Sequence, residues 1–298
     1  MRVANKTVYD SITINLGRVT ETMYKANEVV STGKQINHIS DDPVGLVTVL
    51  DLRSSIAGVE QLGRNLEVGN SWLTAGETAL TQIHDILSDT KALCVQMSSA
   101  TVGESERRAA AELVGGTLTQ ILSLANEEVG GRYIFSGSKT DTQPFSLDEG
   151  TSPPTVVYSG DDNPFSIRVG KDMTVEIGRD GQAAFGTPGD SVFDLLIELK
   201  EYLLSNDVSG IQQVMGDLDP EMESVSSLIS NTGAKMLRLE TKTTILADLK
   251  LNYLDRKSMI EDADITEAII KMESAELAYQ AALNSSSKLM SLSLVDYL

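Results

Sequence analysis

Residues suited to chemistry are few and far apart in this 298-residue chain. It has two histidines, His38 and His84, and one cysteine, Cys94. A histidine-based metal or acid–base site needs further groups at fixed spacing, and neither histidine lies in a His-Glu-x-x-His arrangement. One cysteine can form neither an internal disulfide nor a cysteine-pair zinc site. Because Cys94 lies in an apolar helical stretch, we expect a buried and unreactive thiol.

Three polar clusters offer weaker chemical signals. His38 beside Asp41 and Asp42 could act in acid–base chemistry, but a turn histidine next to N-capping acids explains the same pattern. Residues 161–163 (Asp-Asp-Asn) begin like a calcium loop, yet no EF-hand spacing follows, so a turn is expected. Residues 261–264 (Glu-Asp-Ala-Asp) indicate helix capping or a solvated helix face. We therefore predict no catalytic, cofactor-binding or metal site.

Composition and charge exclude several classes of partner. The chain is 41% hydrophobic with a net charge of −19, and residues 131–232 carry more than half of that charge. Nucleic acids and anionic membranes are bound through basic patches, so neither is an expected partner. No apolar run approaches the roughly 20 residues of a membrane span. The start, MRVANKTVYD, lacks the apolar core of a secretory signal, so Sec-type export is not expected.

Heptad spacing of apolar residues marks both ends of the chain. Near the start the stripe comprises Tyr9, Ile12, Leu16, Val19, Met23, Ala26 and Val30; near the end it comprises Ile265, Ala268, Met272, Ala275, Tyr279 and Ala282. A helix with so wide an apolar face needs a partner. The two ends could pair within one chain or with copies from neighbouring chains, and the pattern alone permits both.

The segments between these ends are predicted as helices around a β-rich insert. In the turn after the first helix, Gly33 suits a C′ position, Asp42 an N-cap and Pro43 the first helical residue. Four glycines on the second helix would allow close approach of another chain segment. The predicted elements are helices at about 44–97, 106–129, 191–204 and 211–229, the last interrupted near Pro220, and strands at 132–136, 155–158, 165–169, 174–177 and 182–185.

Several motifs, in order along the chain, resemble a known family. The turn from Ser31-Thr32-Gly33-Lys34 to Asp41-Asp42-Pro43 resembles the corresponding flagellin motif. Residues 131–137 (GRYIFSG), Pro144-Phe145 and residues 157–161 (VYSGD) resemble the head of the flagellar hook-associated protein 3 family. Residues 231–235 resemble that family's turn into its last long helix, and residues 291–298 (SLSLVDYL) resemble its C-terminus.

The resemblance and the helical pattern together give the expected architecture. We predict a mainly α protein with a small β-rich insert, an elongated flagellin-like rod whose long terminal helices form a coiled-coil stem below a β head. The expected divisions are an N-terminal assembly helix (1–40), two stem halves (41–130 and 191–263), a head (131–190) and a C-terminal assembly helix (264–298). Because no heptad residue lies in the head, we expect it to be separable from the helices.

The resemblance implies a structural subunit of the bacterial flagellum rather than an enzyme. It implies export through the flagellar type III channel with an export chaperone, and an extracellular ring between hook-associated protein 1 and the flagellin filament. Two alternatives are a flagellin and, more distantly, a soluble coiled-coil signalling protein. An enzyme carried on the head would need a histidine or cysteine, and residues 131–190 contain neither.

The terminal stripes provide the expected site residues. The predicted subunit interface comprises Ile12, Leu16, Val19, Met23, Ile265, Met272, Tyr279, Leu283, Leu289, Leu294 and Leu298. The predicted structural turn comprises Gly33, Asp41, Asp42 and Pro43. The resemblance implies that the terminal helices pack between copies in an inner tube, with the head facing outward.

Overall fold

The computed structural model describes residues 2–295, with side chains described for residues 6, 7 and 9–288. Within that range the chain is mainly helical with a small strand-containing insert, as predicted. The helices are α1 (Arg2–Thr32), α2 (Pro43–Met97), α3 (Glu104–Ala125), α4 (Gly181–Phe185), α5 (Val192–Leu204), α6 (Val208–Glu261) and α7 (Ile265–Val295). The strands are β1 (Phe145–Asp148), β2 (Thr155–Tyr158), β3 (Ser166–Arg168), β4 (Thr174–Glu176), β5 (Gly186–Thr187) and β6 (Asp190–Ser191).

The chain divides into two compact units. The first unit combines residues Met1–Val59 with Asp248–Leu298, and the second is Glu60–Ala247. Helices α2 and α6 contribute to both units, because the boundary between the units falls within each of these helices. In the described part of the chain, no helix combines the length and apolar character needed to cross a membrane.

In the first unit the two terminal helices pair with each other. Helix α1 packs along α7 in the same chain, which is one of the two arrangements that the heptad stripes permit. Both helices have 31 residues. The buried apolar residues of α7 are small, namely Ala268 and Ala275. Each alanine lets the partner helix approach closely, and the pair covers part of both apolar faces.

The core of the second unit is formed by apolar side chains from α2, α3, α5 and α6. Helix α3 packs against α5. The fully buried side chains include Trp72, Leu80, Ile83, Leu87, Ile121, Leu196, Leu199, Ile211, Val214 and Val225. Burying one such side chain contributes roughly 1.5–3 kcal/mol, so this core is the main stabilising element of the unit.

The β insert consists of three small antiparallel hairpins that share a core with the helices. Strand β1 pairs with β2, β3 with β4, and β5 with β6. Phe145 of β1 lies 5.1 Å from Phe193 of α5 and 5.5 Å from Phe185, measured between ring centroids. Phe165 lies 5.3 Å from Trp72 of α2 by the same measure. The insert is therefore packed into the helical core of its unit rather than separable from it.

Glycine in α2 permits close approach at only some of the predicted positions. A Cβ added at Gly69 would lie 2.3 Å from the Cδ1 atom of Ile167 in β3 and 3.1 Å from that of Leu239 in α6. No other atom lies within 4 Å of the corresponding position at Gly58 or Gly63. Gly69 thus marks where the insert meets the helices. At Gly76 the added Cβ would make only an ordinary contact, 3.5 Å from Ile134 Cγ2, and Gly58 and Gly63 only weaken the helix.

Four of the predicted elements are wrong or wrongly bounded. Residues 182–185, predicted as a strand, form helix α4, because the Asp180 carboxylate accepts a hydrogen bond from the Gln182 amide and caps a helical turn. Helix α6 continues through Pro220, where an interruption was predicted. Helix α3 ends at Ala125, and the predicted strand 132–136 forms only isolated bridges, from Tyr133 to Glu128 and from Ser136 to Asp180.

Candidate assembly site on the terminal helices

Six of the predicted interface residues are partly buried on α1 and α7. On α1, Ile12, Leu16, Val19 and Met23 are all half-buried. On α7, Met272 and Tyr279 are half-buried, whereas Ile265 and Leu283 remain 46% and 41% exposed. The Leu289 and Leu294 side chains and all of Leu298 lie outside the described part of the structure.

A second set of large apolar side chains on the same helices faces solvent. On α1, Ile14 is 58% exposed and Tyr24 is 72% exposed. On α7, Ile270 is 62% exposed and Leu277 is 69% exposed, and these two residues lie seven positions apart. Ile270 and Leu277 lie on the same side of α7, two helical turns apart, and are available to contact another surface. We call these four residues the outer apolar residues.

An open groove of about 690 Å³ is lined by residues of both α1 and α7 near the turn. Small side chains form much of its lining, including Ala26 of α1 and Ala268, Ala275 and Ala278 of α7. Charged side chains also line it, among them an exposed Glu267–Lys271 pair with 2.7 Å between Oε1 and Nζ. The small side chains leave room in the groove for side chains from another helix.

The turn between α1 and α2 is held by its own acidic and glycine residues. Gly33 adopts φ +70°, in the left-handed region, and its amide donates to the Val29 carbonyl at 2.9 Å. The Asp41 carboxylate accepts from the His38 amide at 2.8 Å and from the Asn37 amide at 3.1 Å. The backbone hydrogen bond from His38 is the main reason that the pKa of Asp41 lies below its ordinary value.

Asp42 caps helix α2, and Pro43 is its first residue. The Asp42 Oδ1 atom accepts from the Val44 amide at 3.1 Å and from the Gly45 amide at 2.9 Å. These amides have no partner inside the helix, so the side chain satisfies two otherwise unpaired donors. A Cβ at Gly45 would lie 2.4 Å from Asp42 Oδ2 and 2.8 Å from Ile36 Cδ1, so the tight turn also requires glycine there.

The chain segment that follows α1 crosses the segment that precedes α7 in the first unit. The Gln35 amide donates to the Glu261 carbonyl at 2.8 Å, and the Ala263 amide donates to the Gly33 carbonyl at 2.9 Å. The Gln35 side chain also donates to the Ile260 carbonyl at 2.8 Å. The Asp264 carboxylate caps α7 by accepting from the amides of residues 266 and 267 at 2.8 and 3.2 Å.

Glu261 lies at this crossing and is only 1% exposed. Its Oε1 atom lies 2.6 Å from Lys34 Nζ and 2.5 Å from Arg53 Nη2, and its Oε2 atom lies 3.6 Å from Lys257 Nζ. Burial raises the pKa of Glu261, but the hydrogen bonds from Lys34 and Arg53 outweigh burial and hold the pKa below its ordinary value. We call these four residues the Glu261 cluster.

The cluster corrects one prediction from the sequence. Residues 261–264 were expected to be a solvated helix face or a local cap, and Asp264 is such a cap, but Glu261 is buried and paired. The cations at positions 34 and 53 are more than 200 residues away in sequence, so no local pattern indicates the pairing. Sequence reasoning missed this group for that reason.

The other residues considered for chemistry, His38 and Cys94, have surroundings that fit a structural role. His38 Nε2 lies 3.0 Å from the Glu28 carboxylate, and the imidazole is mostly exposed. Cys94 is buried, as predicted, and burial raises the pKa of its thiol to about 11. Across the residues that the structure describes, no three His, Cys, Asp or Glu side chains gather to hold a metal ion. The notable feature of the first unit is therefore its paired terminal helices.

Two family models match the chain at its two ends. The bacterial flagellin N-terminal helical region matches residues 3–140, and the bacterial flagellin C-terminal helical region matches residues 215–298. Together they span well over half of the sequence, and they contain both helices of the terminal pair. The chain belongs to the flagellin-like family. The segment that neither model covers includes most of the β insert.

Individual relatives refine this assignment. Flagellar hook-associated protein 3 of Escherichia coli is 22% identical over 99% of this chain and 98% of its own length. A flagellin of Halalkalibacterium halodurans is 36% identical, but over only 32% of this chain and 35% of its own length. The solved structure of a flagellar junction protein from Legionella pneumophila shares the fold, with 18% identity, a TM-score of 0.58, and coverage of 74% of this chain and 100% of that one. The end-to-end likeness is to hook-associated protein 3, and the chain is placed among components of the bacterial flagellum.

Proposed function

We propose that this chain is a structural subunit of the bacterial flagellum that joins the hook to the filament. The observation that carries the proposal is the similarity to hook-associated protein 3 along 99% of the chain, including the β insert. Both family models describe helical regions of bacterial flagellin. Membership of that wider family would therefore not by itself separate a junction protein from a filament protein.

The terminal pair is the proposed assembly element. The α1–α7 pairing covers one apolar stripe only in part and leaves Ile14, Tyr24, Ile270 and Leu277 exposed. Burying an exposed leucine or isoleucine against a neighbouring copy contributes roughly 1.5–3 kcal/mol, and a closed ring repeats that contribution at every interface. The predicted interface stripe would then position the pair, and the outer apolar residues would bind the next copy.

The proposed surroundings follow from a position between hook and filament. Copies of the chain form a ring that contacts hook-associated protein 1 on one side and flagellin on the other. The subunit reaches this extracellular position through the flagellar type III channel with the help of an export chaperone. Residues 131–190 form the head, which faces outward, and the Gly33–Pro43 turn fixes where the first assembly helix leaves the stem.

The experiment compares an interface variant with a matched control in cells that lack the native gene. The double variant Ile270→Asp/Leu277→Asp changes two exposed side chains, so circular dichroism and the melting temperature of the purified protein should match the parent. We expect bare hooks and flagellin shed into the medium. Gln280→Asp, at an exposed polar position of the same helix, should restore filaments fully.

Two outcomes would contradict the proposal. If cells without the gene still carry attached filaments, the chain is not needed at the junction. If they lose the filament subunit itself and secrete no flagellin, the chain is a flagellin, which is the alternative that the partial flagellin match supports.

A further inference from the structure

We propose that the Glu261 cluster is an ionic latch that holds together the two crossing segments, residues 33–42 and 262–264. The latch decides whether the terminal helices are fixed to the ends of α2 and α6 or are free to move from them. It is a conformational device of this chain and does not depend on the proposed role at the hook.

The cluster joins separate parts of the first unit. Lys34 comes from the turn after α1, Arg53 from α2, and Lys257 together with Glu261 from the last turns of α6. Other ion pairs in this unit, such as Glu21–Lys25 and Glu267–Lys271, connect positions i and i+4 of one helix with side chains at least 60% exposed. Such pairs stabilise a helix slightly and cannot join two segments.

The direct backbone connections between the crossing segments are few. They are the hydrogen bonds from Gln35 to the Glu261 carbonyl and from Ala263 to the Gly33 carbonyl, around an isolated bridge between Lys34 and Asp262. An isolated two-residue bridge is weak without side-chain support. Glu261 supplies that support, because the residue that accepts from Gln35 through its carbonyl also binds Lys34 through its carboxylate.

The charge balance makes the carboxylate indispensable to the arrangement. Three cations converge on one buried acid, so neutralising Glu261 leaves three positive charges facing each other without their counter-charge. Moving Lys34 and the turn that carries it toward solvent would relieve that repulsion. The same movement would break the Gln35 and Ala263 hydrogen bonds, since Lys34 lies directly between Gly33 and Gln35.

One carboxylate oxygen of Glu261 lacks a hydrogen bond in the cluster. The Oε2 atom of Glu261 is buried and makes no hydrogen bond within the described part of the structure, and Lys257 stands 3.6 Å away. A buried acceptor without a full hydrogen bond weakens the closed state. The closed cluster is therefore less stable than one in which both carboxylate oxygens accept hydrogen bonds.

The test is hydrogen exchange of individual amides in the full-length protein with Glu261→Gln. This variant keeps the size of the side chain and removes its charge. We expect the Gln35 and Ala263 amides to exchange at least tenfold faster, while core amides of α2 and α3 and the melting temperature of the second unit stay the same. The matched control, Glu267→Gln, removes an exposed acid of α7 and should leave both amides at the parent rate.

A second variant keeps the proposal open to contradiction if Glu261→Gln fails to fold. Lys34→Gln alters a side chain that is 38% exposed, so it should fold, and both amides should again exchange faster, by a smaller factor. If either folded variant leaves the Gln35 and Ala263 exchange rates within twofold of the parent, the cluster does not hold the crossing and the proposal is wrong.

Discussion

The backbone amide of Gln35 donates a hydrogen bond of 2.8 Å to the carbonyl oxygen of Glu261. This contact brings the residues just after α1 to the end of α6. The turn into α2 and the turn out of α6 therefore lie side by side. Helix α1 ends at that crossing and α7 begins there, which is why two segments at opposite ends of the sequence pair along their length. The crossing therefore positions the proposed assembly element.

Asp42→Ala should lower the free energy of unfolding by about 1 kcal/mol, because the Val44 and Gly45 amides lose their acceptor at the start of α2. Urea unfolding followed by circular dichroism measures the change. Asp51→Ala, at an exposed position inside the same helix, is the control and should unfold like the parent. Equal stabilities for the two variants would remove Asp42 from the capping role.

Arg107→Met should destabilise the second unit by about 2 kcal/mol or more. The buried guanidinium donates to the carbonyls of Met97 and Ser99 at 2.9 Å and to the Asn206 side chain at 2.5 Å, and methionine can make none of these three hydrogen bonds. Arg108→Met is the control, because Arg108 makes only an exposed pair with Glu104. Thermal melts that shift equally for both variants would contradict the buried role.

The Cys94 thiol should react slowly with a disulfide reagent at pH 8 in the folded protein. Burial raises its pKa from 9.0 to about 11, which reduces the thiolate population roughly 100-fold, and burial also blocks access. The reaction rate in urea should be at least that much faster. A Ser54→Cys/Cys94→Ala variant, with an exposed thiol, serves as the positive control. Rapid labelling of native Cys94 would show that its helix opens readily.

The stability contributed by Glu261 should depend on pH. Its folded-state pKa lies below the ordinary value of 4.5, so the contribution is fully present above pH 4.5 and is lost as the pH falls through the folded pKa. Glu261→Gln should cost about 1–3 kcal/mol at pH 7, less than a fully buried pair would, because Lys34 and Arg53 are partly exposed. Urea titrations from pH 3 to 7 should show the difference from the parent shrinking in acid. A difference that is constant across that range would contradict an ionic role.

Replacing residues 136–188 with a short Gly-Ser linker should destabilise the second unit rather than leave it intact. The replacement removes Phe145, Phe165 and Phe185 and exposes Trp72 and Phe193, which are now buried against them. Calorimetry should show a lower and broader transition. An unchanged transition would mean that the helices do not need the insert, as the sequence alone suggested.

Local signals in the sequence predict much of this fold. Asp42 followed by Pro43 indicates a helix start from adjacent residues alone, and Gly33 indicates a helix end in the same way. The heptad stripes likewise predict long terminal helices. All these signals act within a few residues, so they do not depend on how the distant parts of the chain are arranged.

The errors come from interactions that outweigh a local rule or connect distant residues. Pro220 removes one hydrogen bond from α6, yet Leu218 and Val225 are both fully buried on either side, and that burial keeps the helix continuous. The run 182–185 is too short for its pattern to distinguish a strand from a helical turn, and the Asp180 cap decides. The local sequence predicts a solvent-facing acid at Glu261, because the Lys34 and Arg53 side chains that pair with it come from distant parts of the chain.

The position of the protein along the flagellum tests the account most directly. An epitope in the exposed Asp148–Thr151 turn of the insert would allow gold labelling and cryo-tomography of intact flagella, with the copy number per flagellum counted in cells that have long or short filaments. We expect label in one narrow band where the hook meets the filament, and a copy number that does not change with filament length. Label along the filament, with a copy number that grows in proportion to its length, would contradict a junction protein and identify a filament subunit.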